Sequence, residues 1–352
     1  MNRRQLRWGI LSTAQIGRKN WRAIQLSGNG IVAAVASRTL AGAERFIAEN
    51  QAAAPFAIPP RALGSYGELI EASDIDAVYI PLPTGLRKAW VLRAAAAGKH
   101  IVSEKPCATS ATDLREMLEA CRRHGVQFMD GVMFAHSIRL TAMRASLDDG
   151  AGFGELRRIT TDFSYRAPKN FFSTDIRAHS ALEPLGCLGD LGWYCVRFSL
   201  WAAGWQLPLR ATGRSLAQRG RTDSPQPVPT DFAGELFFER GLAADFHCSF
   251  LADFHQSAVI AGTRDRLTVD DFVLPRERAE IEFTVNDRRV IVTESGAPHA
   301  TSQETNLFRN FTAQVLAGRL HAGWVDQALK TQQVVDACFA SARDGGRPVA
   351  IT

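Results

Sequence analysis

The run His100-Ile101-Val102-Ser103-Glu104-Lys105-Pro106 decides how this chain is read. Its apolar start reads as a strand, and Thr109-Ser110, with Asp113 three residues after Ser110, opens a helix close behind it. That order puts Lys105 at the carboxyl edge of a sheet, where open α/β sheets bind their ligands. Pro106 restricts Lys105 to extended geometry, and the bond between them is of the one kind that tolerates cis, so the backbone itself can aim the lysine. Taken alone, the four residues from Ser103 are more simply a surface lysine beside a loop proline. The rest of the chain reverses that preference.

Upstream, Leu6 to Leu11 reads as a buried strand, and after the turn STAQIG the residues Ile16, Trp21 and Ile24 fall on a helical period. Ile31 to Ala36 is a second strand, ending at Ser37-Arg38 before a helix from Ala41 to Glu49. A helix over Tyr66 to Ala72, a strand over Ile75 to Ile80, the loop Pro81-Leu82-Pro83-Thr84 and a helix to Ala97 lead to the strand that carries Lys105. A helix over Asp113 to His124 and a strand over Val126 to Asp130 follow. Strands alternating with helices mean right-handed crossovers in a doubly wound parallel sheet, a Rossmann domain over residues 1–130.

Beyond residue 131 the pattern changes. A helix near Ser137 to Leu147 leads to an alternating run, Leu156 to Tyr165, and Gly189-Asp190-Leu191-Gly192-Trp193-Tyr194 opens an apolar helix reaching Ala203. Strands are expected over 209–217, 232–239, 242–250, 258–261, 267–269 and 289–293, with closing helices over 304–316 and 326–342. This predicts an α+β domain over 131–352 with a large, mostly antiparallel open sheet. Phe237, Phe238 and Phe246 suggest apolar residues on both sheet faces, hence a homodimer or higher oligomer through the open face.

The 352 residues suit two domains, and 46% hydrophobic with 22% charged residues is ordinary for a soluble globular protein. No apolar run is long enough to span a membrane, and MNRRQLRWGILS passes into a strand without a cleavage site. Six scattered cysteines (107, 121, 187, 195, 248 and 338) have no zinc spacing and read as reduced thiols of a cytoplasmic protein. A net charge of +5, spread along the chain, argues against nucleic acid. His247 and His255 lack the spacing of a metal site, and none is expected.

A dinucleotide fingerprint would place three glycines in the first turn, where this chain has Ser12, Ala14 and Gly17. Small residues still let a pyrophosphate approach the helix start, although a tight turn with no ligand explains them as well. Where an acidic residue would take the ribose of NAD, the second strand ends in Ser37-Arg38, which suits a 2′-phosphate and predicts NADP, with NAD as the alternative. The expected cofactor contacts are Ser12, Thr13, Ala14, Gln15, Ile16, Ser37, Arg38, Pro81, Leu82, Pro83, Thr84, Glu104, Lys105 and Pro106.

Asp190 and Tyr194, four apart at a helix start, share a face. A tyrosine needs help to exchange protons near neutral pH, and a nearby ammonium supplies it by favouring the phenolate. Lys105 is the natural supplier if the two domains face each other. On spacing alone, Asp190 is equally a helix N-terminal charge and Tyr194 a core residue.

The runs RWGILSTAQIGRK, VYIPLPTGL, AGKHIVSEKP, TDIR and GDLGWY, in this order, resemble the Gfo/Idh/MocA oxidoreductase family over essentially the whole chain. The resemblance is to its branch with dimeric dihydrodiol dehydrogenase and NADP-dependent D-xylose dehydrogenase. It implies an NADP-linked dehydrogenase acting on a sugar or cyclic diol. Lys105 would hydrogen-bond the reacting oxygen, Tyr194 exchange the hydroxyl proton, Asp190 orient the substrate, and Arg177 shape the cleft. Phe134 and His136 are further substrate candidates, although a solitary histidine is more often structural. The family's inositol dehydrogenases carry histidine in place of Tyr194, which points away from them; many members carry histidine in place of Arg87. Two rival readings are a retained-cofactor enzyme that cleaves glycosidic bonds and a non-catalytic NADP-binding regulator.

Overall fold

The computed structural model describes residues 4–150, 152–278 and 280–351. The chain divides into two compact units. The first takes the chain through Cys107 together with Thr112–Ser137 and Ser295–Asp326; the second takes Ala108–Ala111, Ile138–Glu294 and the chain from Gln327 onward.

The first unit alternates β1 (Leu6–Leu11), α1 (Gln15–Ser27), β2 (Gly30–Ala36), α2 (Leu40–Ala53), β3 (Arg61–Leu63), α3 (Tyr66–Glu71), β4 (Ala77–Ile80), α4 (Thr84–Ala96), β5 (His100–Ser103), α5 (Ala111–Arg123) and β6 (Phe128–Asp130). The six strands lie in the order β3-β2-β1-β4-β5-β6, all parallel. All four residues of β4 are buried, as a strand covered on both faces requires. Local signals set the helix ends: Thr39 and Ser65 accept from the backbone N–H of Gly42 and Glu68, and Gly28 closes α1 in the left-handed conformation. The strand order reverses between β1 and β4, so the carboxyl ends of β1, β4 and β5 flank the switch point where such sheets bind ligands.

The second unit comprises α6 (Ile138–Asp148), β7 (Leu156–Ser164), the short α7 (Phe171–Thr174), α8 (Trp193–Ala202), β8 (Arg210–Arg219), β9 (Val228–Phe237), β10 (Ala243–Ser249), β11 (His255–Gly262), β12 (Arg266–Val269), β13 (Ile281–Val285) and β14 (Arg288–Val292). After them come α9 (Gln303–Leu316), α10 (Ala322–Arg343) and β15 (Val349–Ala350). Nine strands form one sheet, β14-β13-β12-β11-β7-β10-β9-β8-β15, antiparallel except for β7 with β10. Every residue of α8 is buried.

The expectation of apolar residues on both sheet faces holds in part: partly exposed Phe237, Ala243 and Val259 lie on the outward face, but Phe246 and Phe238 do not. Phe246 is 3% exposed, stacked on Phe232, and shares its face with buried Ala244 and Cys248; Phe238 is buried as well. The opposite face alternates with these positions and carries Arg158, Thr160, Asp162, Asp231, Glu235, Asp245 and His247.

Helix α9 returns to the first unit, a regrouping that a single cut at residue 130 leaves out. Trp8 of β1 packs 5.3 Å from Phe308 and 5.2 Å from Phe311, and Tyr79 of β4 packs edge-on to Phe308 at 5.7 Å. Truncating a ring buried like Phe311, 0% exposed, costs about 3–5 kcal/mol.

Candidate functional site

The turn after β1 begins with Ser12 at φ 124°, a left-handed value that a glycine would normally supply. Two bonds hold it there: its hydroxyl donates to the Pro81 carbonyl (3.2 Å) and accepts from the Ala14 N–H (3.3 Å). Gly17 serves close packing, since a Cβ there would lie 3.2 Å from the Phe46 ring and 3.9 Å from Ile10. Ala14 caps α1 without a side-chain bond, and the first-turn N–H groups of Gln15 and Ile16 have no intrahelical partner. At the end of β2 neither the Ser37 hydroxyl nor the Arg38 guanidinium has a hydrogen-bond partner among the described residues. These unused donors fit a dinucleotide with its pyrophosphate at the helix start and a phosphate at the ribose.

Lys105 follows β5, half-buried, and the Lys105–Pro106 bond is cis. Arg87 of α4, 4% exposed, braces this segment by donating to the carbonyls of Leu82 (2.6 Å), Glu104 (2.8 Å) and Pro106. The Thr84 hydroxyl also reaches the Pro106 carbonyl. One guanidinium therefore ties the Pro81–Thr84 loop to the Lys105 loop. Arg87, where many members of the family carry histidine, is a backbone brace here.

Sequence reasoning missed the partners of Glu104. Asn20 Nδ2 donates to the Tyr79 hydroxyl (2.6 Å), which donates to Glu104 Oε1 (2.6 Å), while Glu104 Oε2 accepts the Lys105 backbone N–H (3.3 Å). Burial, followed by the Glu104 charge, pushes the Tyr79 phenol well above its ordinary pKa, so it acts as a neutral donor. A tyrosine inside an otherwise aliphatic strand was the available signal, because a buried phenol needs a partner.

In the second unit, a π-helical turn over Leu188–Gly192 precedes α8, so Asp190 and Tyr194 straddle a junction and not a regular helix. Arg177 Nε donates to Asp190 Oδ2 at 2.9 Å, and its Nη1 lies 3.3 Å from Asp175 Oδ1. The Asp190 charge is the main cause that raises the Arg177 pKa above its ordinary value. Tyr194 is 8% exposed, its ring 5.8 Å from Phe163. Tyr165, also missed, follows β7 beside this group; burial and then the Asp190 charge push its phenol up. Only its position after an alternating strand hinted at it.

Phe134 is buried, and His136 lies in the 3-10 turn Met133–His136 with Nδ1 3.2 Å from Asn310 Nδ2 and its ring 5.9 Å from Trp324. His247 is held between Asp162 (2.9 Å) and Asp231 (2.7 Å), and His255 is exposed beside Ser257. All six cysteines are free and buried, and burial raises the thiols of Cys195 and Cys248. Among the described residues no three His, Cys, Asp or Glu side chains gather to hold a metal, and no helix is long and apolar enough to cross a membrane.

Sheet order, helix start and unused donors define a protein built on a dinucleotide-binding sheet. Residues 6–132 match the family described as "Oxidoreductase family, NAD-binding Rossmann fold", and residues 140–268 match "GFO/IDH/MocA C-terminal domain". The chain is 31% identical to a dTDP-3,4-didehydro-2,6-dideoxy-alpha-D-glucose 3-reductase of Saccharopolyspora spinosa, covering 90% of this chain and 89% of that one. It is 30% identical to D-xylose 1-dehydrogenase (NADP(+)) 2 of Haloferax volcanii, covering 96% and 98%. Its fold matches that of a 3-ketoreductase from Actinomadura kijaniata in complex with NADP and TDP-benzene, with a TM-score of 0.81 at 24% identity over 96% of this chain and 98% of that one. The chain belongs to the Gfo/Idh/MocA oxidoreductase family.

Proposed function

We propose that the protein is an NADP-dependent dehydrogenase that moves a hydride between nicotinamide and a carbinol carbon of a sugar or cyclic diol. The observation that carries this reading is Lys105 at the carboxyl end of β5, braced by Arg87 and anchored through Glu104. The sugar part of the range draws on the two curated relatives, and the diol part on the motif resemblance. When bound, the dinucleotide supplies the hydride acceptor or donor.

The residues divide the remaining work. The turn Ser12-Thr13-Ala14 and the first-turn N–H groups of Gln15 and Ile16 take the pyrophosphate. Ser37 and Arg38 take the 2′-phosphate, and Pro81, Leu82, Pro83, Thr84 and Pro106 line the nicotinamide side. Lys105 hydrogen-bonds the reacting oxygen, and Tyr194 exchanges its proton. Asp190, held by Arg177, orients the substrate, with Phe134 and His136 as further contacts. A second reading, reduction of a keto group on a nucleotide-linked sugar, is favoured by the similarity to the 3-reductase.

The test is initial-rate absorbance at 340 nm with NADP and NAD, over aldoses, inositols, trans-dihydrodiols and a dTDP-linked ketosugar with NADPH, for wild type and Lys105→Ala. NADP-linked turnover lost in the variant supports the reading. Turnover with the nucleotide sugar alone favours the second. No turnover with either cofactor moves the retained-cofactor and regulator readings ahead.

The same proposal extends to assembly and compartment. Both charge signs lie on the outward face of the nine-stranded sheet, a pattern that can complement itself about a two-fold axis and supports a homodimer. Six buried free thiols suit the reducing cytoplasm. Light scattering at twice 38.6 kDa supports the dimer, and the monomer mass overturns it.

A further inference from the structure

We propose that Tyr79 is a positioning residue for Lys105: its buried hydroxyl keeps the Glu104 carboxylate turned inward, so that this carboxylate does not pair with the neighbouring ammonium. The proposal rests on the reading of Lys105 given above. Glu104 and Lys105 are consecutive residues leaving an extended strand, where side chains alternate in direction. Glu104 is the acidic residue adjacent to Lys105 in the chain. Among the described residues its bonds run to Tyr79, to Asn20 (3.4 Å) and to the Lys105 backbone N–H, and no ion pair is among them.

Tyr79 is 0% exposed, and its oxygen is already aligned by Asn20, so the chain Asn20 to Tyr79 to Glu104 is directed throughout. The seat is shaped to match. A Cβ on Gly131 would lie 3.1 Å from the Glu104 carboxyl carbon, so that position leaves room for the carboxylate. Without the Tyr79 hydroxyl, Glu104 Oε1 keeps only the long Asn20 contact. Lys105 is then the cation nearest along the chain.

The experiment is a double-mutant cycle on kcat with Tyr79→Phe and Glu104→Gln, with Lys105→Ala measured first. Tyr79→Phe is expected to lower kcat about ten-fold, the scale of a hydrogen bond to a charged group, with each KM within about three-fold. Combined with Glu104→Gln it is expected to cost nothing beyond Glu104→Gln alone, because no carboxylate is left to release. A purely structural role for the hydroxyl gives the same loss in both backgrounds and overturns the proposal, as does wild-type kcat in Tyr79→Phe. An active Lys105→Ala overturns instead the reading on which the proposal rests, and the two failures are thereby separated.

A second readout needs no substrate: pulse acetylation with acetic anhydride, mapped by mass spectrometry and referred to exposed Lys169. Labelling of Lys105 is expected to slow several-fold in Tyr79→Phe and to recover in the double variant. Equal labelling in all three proteins overturns the proposal. Should Tyr79→Phe fail to fold, Asn20→Ala removes the donor behind Tyr79 and is expected to move both readouts the same way; unmoved, they overturn the proposal.

Discussion

Arg177 and Asp190 form an ion pair, Nε to Oδ2 at 2.9 Å, and Asp175 holds the same guanidinium from its other side. Asp175 also accepts the Arg177 backbone N–H at 2.9 Å, so the short 3-10 turn Ile176–Ala178 delivers the arginine already aimed. The Asp190 side chain is only 14% exposed, and removing the Arg177 guanidinium takes an ion-pair partner from a largely buried carboxylate. Arg177→Ala is expected to lower stability by about 1–2 kcal/mol, discounted for partial exposure. The check is urea unfolding. In the same preparation kcat/KM is expected to fall, and Arg177→Lys to restore only part of it, because an ammonium cannot reproduce the fork.

Arg87 donates to three backbone carbonyls on two loops while almost fully buried. Arg87→Met removes a donor from each of the three carbonyls and leaves Pro106 with the long Thr84 contact, at about 2–3 kcal/mol for two to three net hydrogen bonds. An imidazole offers at most two donors, so Arg87→His is expected to fall between Met and wild type in urea unfolding. A stability ranking with histidine at the wild-type level would show that the three bonds are not the reason for arginine here.

The parallel half of the fold was legible because its strands are short apolar runs separated by helical periods, as in Ala77–Ile80. β3 and β13 were not expected: three residues, Arg61–Leu63, carry no period, whereas Ile281–Val285 alternates apolar with polar throughout and its period-two signal was passed over. Helix α9 was legible as a helix, but nothing local in Phe308 and Phe311 says which sheet they cover. Phe237, Phe238 and Phe246 suggested apolar residues on both sheet faces, and a period-two count divides them, placing Phe246 inward with Ala244 and Cys248 and Phe237 outward with Ala243. Among the candidate residues, Lys105 and Asp190 stood out because a charge sits beside proline or glycine, and Tyr194 because it follows Asp190 by one turn. Tyr79 and Asn20 did not, because sequence alone cannot distinguish a satisfied core hydroxyl from one aimed at Glu104.

Ser37 and Arg38 present a hydroxyl and a guanidinium with no hydrogen-bond partner among the described residues. Replacing the cation with an anion, Arg38→Asp, adds repulsion towards a phosphate and an acceptor for a ribose hydroxyl. The expected outcome is a KM for NADP raised on the order of a hundred-fold, two tenfold steps for a lost and then reversed charged contact, with a smaller change for NAD. Calorimetric titration of both dinucleotides checks this without a substrate. An unchanged ratio between them would remove Arg38 from the discrimination.

His247 sits on the sheet's outward face with Nδ1 2.9 Å from Asp162 and Nε2 2.7 Å from Asp231, one carboxylate from each neighbouring strand. Both ring nitrogens can donate only in the imidazolium. The hydrogen bond to Asp162, with Asp231 behind it and against the cost of burial, raises the pKa from 6.5 to about 9. A folded-state pKa above the unfolded one means that the folded protein binds the extra proton. The stabilisation is therefore complete below pH 6.5 and is lost as pH rises towards about 9. His247→Gln keeps two hydrogen-bonding atoms but no charge. Its Tm is expected to lie below wild type at pH 6, with the gap closing as pH rises to 9.5. A gap that stays constant across that range would mean that the charge of His247 contributes nothing to folding. A gap that widens with pH would reverse the sign argued here.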